Sequence, residues 1–234
     1  MIEEILKNAK TYLELDLTAG QTEKFKLYAQ ELLLWNKKVN LTAIKNENDV
    51  AVKHFLDSLL PLKIFPVSTQ SIIDIGAGAG FPGIPIKIAR PNTSLILVES
   101  VGKKVEFLNH IIKALGLSDS LAVWGRAEDV AKESRETFDI AISRAVAPLN
   151  VLCELCLPFV RLGGVMIALK SEDVKDELGA CENAIKVLGG RLKEVCKVQL
   201  PTTDIIRSIV VIDKISATPE SFPRRAGMAK KRPL

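Results

Sequence analysis

Histidine and tyrosine are scarce in these 234 residues: two of each, His54 and His110, Tyr12 and Tyr28. Neither histidine falls at the end of a predicted strand, so the sequence offers no acid–base dyad where an open sheet would need one. Both tyrosines precede the predicted sheet, which leaves no Tyr-x-x-x-Lys proton relay behind a nucleotide-binding loop. The four cysteines form one C-x-x-C, Cys153 and Cys156, with Cys181 and Cys196 standing alone. With no second C-x-x-C and both histidines far upstream, no metal site is expected, and the cysteines read as reduced core thiols. No run approaches the ~20 apolar residues of a membrane span. The first residues carry Glu3 and Glu4 where a secretory leader needs bases, so the expectation is a cytoplasmic chain with no membrane partner, monomeric by default.

Acidic residues are missing from one place in particular. The last eleven residues hold Arg224, Arg225, Lys230, Lys231 and Arg232 and no acid, whereas the formal net charge of the whole chain is only +4. The basic character is thus local to the C-terminus, and it points to an anionic partner such as nucleic acid.

Hydrophobic residues make up 47% of the chain, enough for a sizeable core in one α/β domain with small appendages. The organising stretch runs from Ser71 to Arg90. A β-branched run, Ile72 to Ile75, breaks into Gly76, Gly78 and Gly80 and then into a helix-compatible run from Gly83 to Ala89. It reads as strand, glycine loop, helix. Glycine permits positive φ and lets backbone N–H groups approach a small polar ligand closely. Two registers are open: Gly-x-Gly-x-Gly from Gly76, or the dinucleotide fingerprint from Gly78 through Gly80 to Gly83. No Gly-Lys-Ser/Thr follows, which excludes a P-loop.

Residues 1–66 read as a helical extension. An i, i+3, i+4 pattern from Ile2 to Leu13 is followed by a second helix around Phe25 to Leu33, with Thr22 as its expected cap, and by a third ending before Pro61. Trp35 to Thr42 reads as a polar connection or part of a binding face. Residues 67–217 read as a doubly wound α/β sheet, with parallel strands at 71–75, 94–99, 120–124, 138–143 and 163–170. Two further runs, 191–199 and 206–215, are joined too tightly for a crossover helix and must pair as an antiparallel hairpin, giving seven strands. Residues 218–234 read as a basic tail.

In such a sheet ligands bind beyond the carboxyl ends of the strands. Those ends carry Gly76 to Phe81 after the first strand and Glu99 after the second, placed to accept hydrogen bonds from ribose hydroxyls. Gly125 to Asp129 follow the third strand, with Glu128 facing an adenine amino group, and Arg144 ends the fourth. Asp74, Glu99 and Glu128 are expected along one rim. Three classes fit these residues: a methyltransferase using S-adenosylmethionine (SAM), a nicotinamide-dependent oxidoreductase, and a non-catalytic RNA-binding protein with an idle core.

Several motifs are similar to those of one family. Trp35-Asn36 with Asn40-Leu41-Thr42, His54-Phe55-Leu56-Asp57-Ser58, the loop from Asp74 to Pro85, Glu99-Ser100 with Lys103-Lys104, Arg126-Ala127-Glu128, Ser143-Arg144-Ala145 and the closing Pro233-Leu234 together resemble the bacterial small-subunit ribosomal RNA guanine-N7 methyltransferases, class I SAM-dependent enzymes with a Rossmann-like sheet. The resemblance covers nearly the whole chain. It implies that Asp74, Gly76, Ala77, Gly78, Gly80, Phe81, Ser100, Ala127, Glu128 and Arg144 form the SAM site with Glu99 on the ribose, and that 16S rRNA or the small ribosomal subunit is the partner. Lys37, Lys38, Arg144, Arg224, Arg225, Lys230 and Lys231 are then the candidate RNA contacts. Arg144 is the one candidate for a catalytic role, since guanine N7 carries a free lone pair and needs no general base. Ser171, Ala226, Met228 and Ala229 depart from the family's pattern.

Overall fold

The computed structural model describes residues 2–66 and 68–234. Seven strands form one sheet: β1 (Ser71–Ile75), β2 (Ser94–Glu99), β3 (Ser120–Trp124), β4 (Phe138–Arg144), β5 (Val160–Lys170), β6 (Gly190–Gln199) and β7 (Ile206–Lys214), in the order β3-β2-β1-β4-β5-β7-β6. The first five are parallel; β7 runs antiparallel to β5 on one side and to β6 on the other. The chain winds outward from β1 through β2 to β3, then returns to place β4 against the free side of β1. That reversal opens a crevice above the carboxyl ends of β1 and β4, where a doubly wound sheet binds its ligand.

Period-two alternation sends neighbouring side chains of β1 to opposite faces. Ile72 joins a core built from α1 (Ile2–Leu13), α2 (Ala19–Asn36), α5 (Gly83–Ala89) and α6 (Gly102–Ala114). Ile73 and Ile75 join a second core under α7 (Ala127–Val130), α8 (Leu149–Cys156) and α9 (Lys175–Val187). The N-terminal helices therefore belong to the first core. Phe25, Tyr28 and Phe55 are fully buried there, with Tyr28 stacked on Phe55 at 5.2 Å and on Phe81 of the glycine loop at 5.4 Å. Edge strand β6 is largely exposed and carries Arg191, Lys193, Glu194 and Lys197, charges that discourage pairing with another chain.

Several boundaries differ from the expectations of sequence. Helix α2 begins at Ala19, before Thr22, because Thr18 and Gln21 form a reciprocal capping box, worth about 1 kcal/mol. Trp35 and Asn36 are the last residues of α2. The connection that follows is tied by Asn36, whose Oδ1 accepts the N–H groups of Leu41 and Thr42 at 2.9 and 3.0 Å. The third helix is a composite of α3 (Glu47–Val50), a π-helical stretch over Ala51–Leu56 and α4 (Asp57–Leu59). It continues through Pro61 in a 3-10 turn, Leu60–Ile64, because proline is tolerated at the start of such a turn. Strand β5 starts at Val160 and passes through Gly163 and Gly164.

Candidate cofactor and substrate site

The loop after β1 turns on Gly76, Gly78 and Gly80, all at positive φ (71°, 60° and 96°). Gly83 is not part of that turn: it opens α5, and a Cβ there would lie 2.7 Å from Leu97 Cδ2 and 2.9 Å from Asp74 Oδ2. The first register is thus the one the backbone uses, and Gly83 serves close helix–sheet packing. Around Gly78 the space is open, the nearest atom to a Cβ being the Gly76 carbonyl oxygen at 3.9 Å.

Glu99, at the end of β2, is held from two sides. The Gly78 N–H donates to Oε2 at 2.9 Å and the Val101 N–H to Oε1 at 2.9 Å. Each oxygen keeps a second acceptor site, so the carboxylate is both fixed and able to bind hydroxyl donors. Asp74 departs from expectation. It lies wholly buried beneath the loop, not along the rim, where Oδ2 accepts the Gly83 N–H at 2.8 Å. Its Oδ1 lacks a partner among the described residues. Burial pushes its carboxyl up to about 7, against the opposing pull of the Gly83 N–H and Arg144.

Two cavities open beside this loop. The first, about 240 Å³, has Ile75, Val98, Val146 and Leu155 as apolar walls and Ser100, Ala127 and Glu128 around them. Glu128 is mostly buried, and its Oε1 accepts the N–H of Gly227 from the C-terminal segment at 2.8 Å. Trp124, at the end of β3, is exposed beside it and donates from Nε1 to the Ser100 carbonyl at 3.1 Å.

The second cavity, about 540 Å³, lies between His54, Asp57, Arg144, Lys170 and Arg207. Buried Asp57 accepts from Arg144 Nη1 at 2.9 Å through Oδ2 and from Arg207 Nε at 2.7 Å through Oδ1. The Arg144 guanidinium also sits 4.9 Å above the Phe81 ring. His54 stacks on the same ring at 4.4 Å, and burial together with Arg144 holds its imidazole down at about 3, so it is neutral at physiological pH. A guanidinium only donates. The His54 Nδ1 that lies 3.2 Å from Arg144 Nη2 is therefore the lone-pair nitrogen, and Nε2–H donates to Thr42 Oγ1 at 2.7 Å.

The segment after β4 separates the cavities: Val146 and Ala147 line the first, Arg144 and Ala145 the second. Ala145 makes this division with φ 56°, a left-handed turn unusual for a residue with a Cβ. Of the residues expected at the cofactor site, Gly76, Ser100, Ala127 and Glu128 line the first cavity and Arg144 the second. Glu99 is tied to Gly78, Phe81 lies under the Arg144 guanidinium, and Ala77 and Gly80 are buried within the loop. Lys37 and Lys38 are exposed at the end of α2. Arg225, Lys230 and Lys231 are exposed on the C-terminal segment, whereas the Arg224 guanidinium turns inward onto buried Glu154, with Nε 2.9 Å from Oε1. Sequence patterning does not single out Asp57, Lys170 or Arg207 as site residues; Arg207 meets Asp57 across 150 positions, and no local pattern announces such a pair.

Known proteins of similar sequence settle the family of the chain. The family described as rRNA small subunit methyltransferase G (GidB) matches residues 21–206. The chain belongs to the GidB family. Curated relatives include a ribosomal RNA small subunit methyltransferase G from Desulforamulus reducens, 49% identical over 98% of this chain and 97% of that protein, and one from Lactobacillus johnsonii, 45% identical over 94% of each. Among solved structures, M. jannaschii TYW2 in complex with AdoMet superposes with a TM-score of 0.53 at 16% identity, covering 85% of this chain and 78% of that one. A 16S rRNA (adenine(1408)-N(1))-methyltransferase from Catenulisporales acidiphilia gives a TM-score of 0.52 at 12% identity, covering 64% and 87%. These two place the chain in the class I methyltransferase fold.

Proposed function

We propose that this protein transfers a methyl group from SAM to N7 of one guanosine in the 16S RNA of the small ribosomal subunit. The observation that carries the reading is the fixed Glu99 carboxylate, gripped by the Gly78 and Val101 N–H groups beside a largely apolar cavity. An acceptor pair next to apolar walls fits an adenosine: hydroxyls for the carboxylate, a flat base for the cavity. Gly76, Ala77, Gly78, Gly80 and Phe81 would hold the cofactor along the loop, Ser100, Ala127 and Glu128 at the base, Arg144 at the far end; buried Asp74 supports the loop from below. When bound, SAM supplies a methyl on a sulfonium centre, an electrophile that needs no activation.

The chain's own task is then to bring a nucleophile into line and exclude water. Positional catalysis of this kind reaches ~7–11 kcal/mol. Guanine N7 has its lone pair free at neutral pH, and the site suits that chemistry: His54 is neutral with both ring nitrogens engaged, so it does not stand ready as a general base. The second cavity takes the target base. Arg144 and Arg207, locked by Asp57, present donors suited to the acceptor O6 of guanine, and the exposed Lys37, Lys38, Arg225, Lys230 and Lys231 supply phosphate contacts.

Transfer of labelled methyl from SAM to undermethylated small-subunit particles, with large-subunit RNA and transfer RNA as controls, tests the assignment. Label confined to small-subunit RNA is the expected result; label in a control RNA alone overturns the substrate.

A further inference from the structure

By sequence the C-terminal segment is a basic tail suited to RNA. In the folded protein it is strapped along the surface by a series of polar contacts, most of them partly buried. Lys214 Nζ, itself inaccessible, bonds the Leu157 carbonyl at 3.0 Å and pairs with Glu136 at 3.0 Å, while Glu136 Oε1 also accepts the Thr218 N–H at 2.7 Å. Arg135 then donates to the carbonyls of Pro219 and Phe222 at 2.9 and 2.6 Å. Arg224 follows, its backbone N–H and Nε both 2.9 Å from Oε1 of buried Glu154. Only after these anchors does the chain reach Glu128 with the Gly227 N–H and insert the buried Ala229 methyl.

Gly227, Ala229 and Lys230 stand among the lining of the 240 Å³ cavity. Resting on the SAM site proposed for that cavity, we propose that this strap is a structural part of the site: it forms the outer wall at the base end, and the Gly227 N–H is the positioning group that aims Glu128. Oε1 of Glu128 accepts from the strap, and that contact orients Oε2 as the acceptor for an exocyclic amine. An acidic side chain on a short helix, α7, would otherwise swing; the Gly227 contact removes that freedom before a ligand arrives. The strap's two sides thus do different work. Its backbone and Ala229 face the cavity, while Arg225, Lys231 and Arg232 are exposed, with no ion pair among the described residues.

The test is SAM binding by titration calorimetry on full-length protein, with cofactor-free thermal unfolding to confirm the fold. Gly227→Pro removes the N–H and cannot hold the native φ of 83°; Ala229→Glu forces the wall outward. Each is expected to weaken SAM by about tenfold or more. Glu220→Ala, at an exposed position that does not line the cavity, is expected to bind as the wild type does. Independently, amide exchange over residues 225–231 of the wild type should slow at least several-fold on saturation with SAM. Wild-type affinity in both strap variants, or exchange unaltered by SAM, overturns the strap's role while leaving the SAM site standing. A wild-type chain that binds no SAM overturns the strap and the proposed function together.

Discussion

Asp57 and Arg144 lie 87 positions apart in the chain and meet at 2.9 Å, with the second Asp57 oxygen committed to Arg207 at 2.7 Å. A single buried carboxylate thereby fixes two guanidinium groups, one from the end of β4 and one from β7. Removing it leaves two cations at the mouth of the second cavity without their counter-charge. Breaking a buried pair costs about 3–5 kcal/mol. Asp57→Ala is accordingly expected to lower the free energy of unfolding by about 3 kcal/mol in urea titrations and to abolish methyl transfer. Asp57→Asn, which keeps the shape and one acceptor, is expected to lose about half as much.

The dependence of stability on pH follows from His54 and Asp74, which act in opposite directions. The native His54 refuses a proton until about pH 3, whereas an unfolded histidine takes one near its ordinary value of 6.5, so this residue costs stability as pH falls below 6.5. Native Asp74 keeps its proton up to about 7 whereas the unfolded carboxyl releases it near 3.8, so this residue costs stability as pH rises from about 4 to 7. Between pH 5 and 7 the two slopes oppose each other. His54→Gln is expected to stabilise the protein at pH 5 relative to pH 7, and Asp74→Asn to do the reverse, each by on the order of 2 kcal/mol compared with wild type in urea unfolding.

Two glycines only five positions apart are expected to fail differently when replaced. Gly78→Asp meets open space at a left-handed φ that aspartate tolerates, yet it sets a second carboxylate beside Glu99. The variant should fold with nearly unchanged thermal stability and lose SAM binding by at least a hundredfold in calorimetry, about 2.7 kcal/mol. Gly83→Ala drives its methyl against Leu97 and Asp74 and is expected to cost about 1–3 kcal/mol of stability.

Phosphate contacts show themselves in salt dependence. Neutralising Lys37, Lys38, Arg225 and Lys231 together should weaken RNA binding strongly at low salt and flatten the plot of log affinity against log salt by roughly 0.7–0.9 for each phosphate no longer neutralised. An unaltered slope in filter-binding assays would show that these bases do not touch the backbone.

Much of the fold was legible because it is written locally. The five parallel strands announce themselves by short apolar runs between helices, and the glycine loop by three glycines in five residues at a strand end. Local chemistry was also there to read at Thr18 and Gln21, three residues apart as a capping box requires, although Gly20 inside the helix hid it. What pattern cannot carry is the distant partner. The pairing of Arg207 with Asp57, the inward turn of Arg224 onto Glu154 and the reach of Gly227 to Glu128 each join residues 70 or more positions apart. For the same reason Asp74 reads as a rim acid in sequence: alternation along β1 gives its face, and only the folded loop above it shows that the face is covered.

The most direct measurement is chemical cleavage at 7-methylguanosine in 16S RNA, after incubating small-subunit particles from a strain lacking this enzyme with SAM and the purified protein. A single new cleavage site is expected with the wild-type protein and none with Gly78→Asp, folded as judged by thermal unfolding. Methyl incorporation without cleavage at any guanosine would contradict N7 as the acceptor, and cleavage that persists in Gly78→Asp would contradict the glycine loop and Glu99 as the cofactor site.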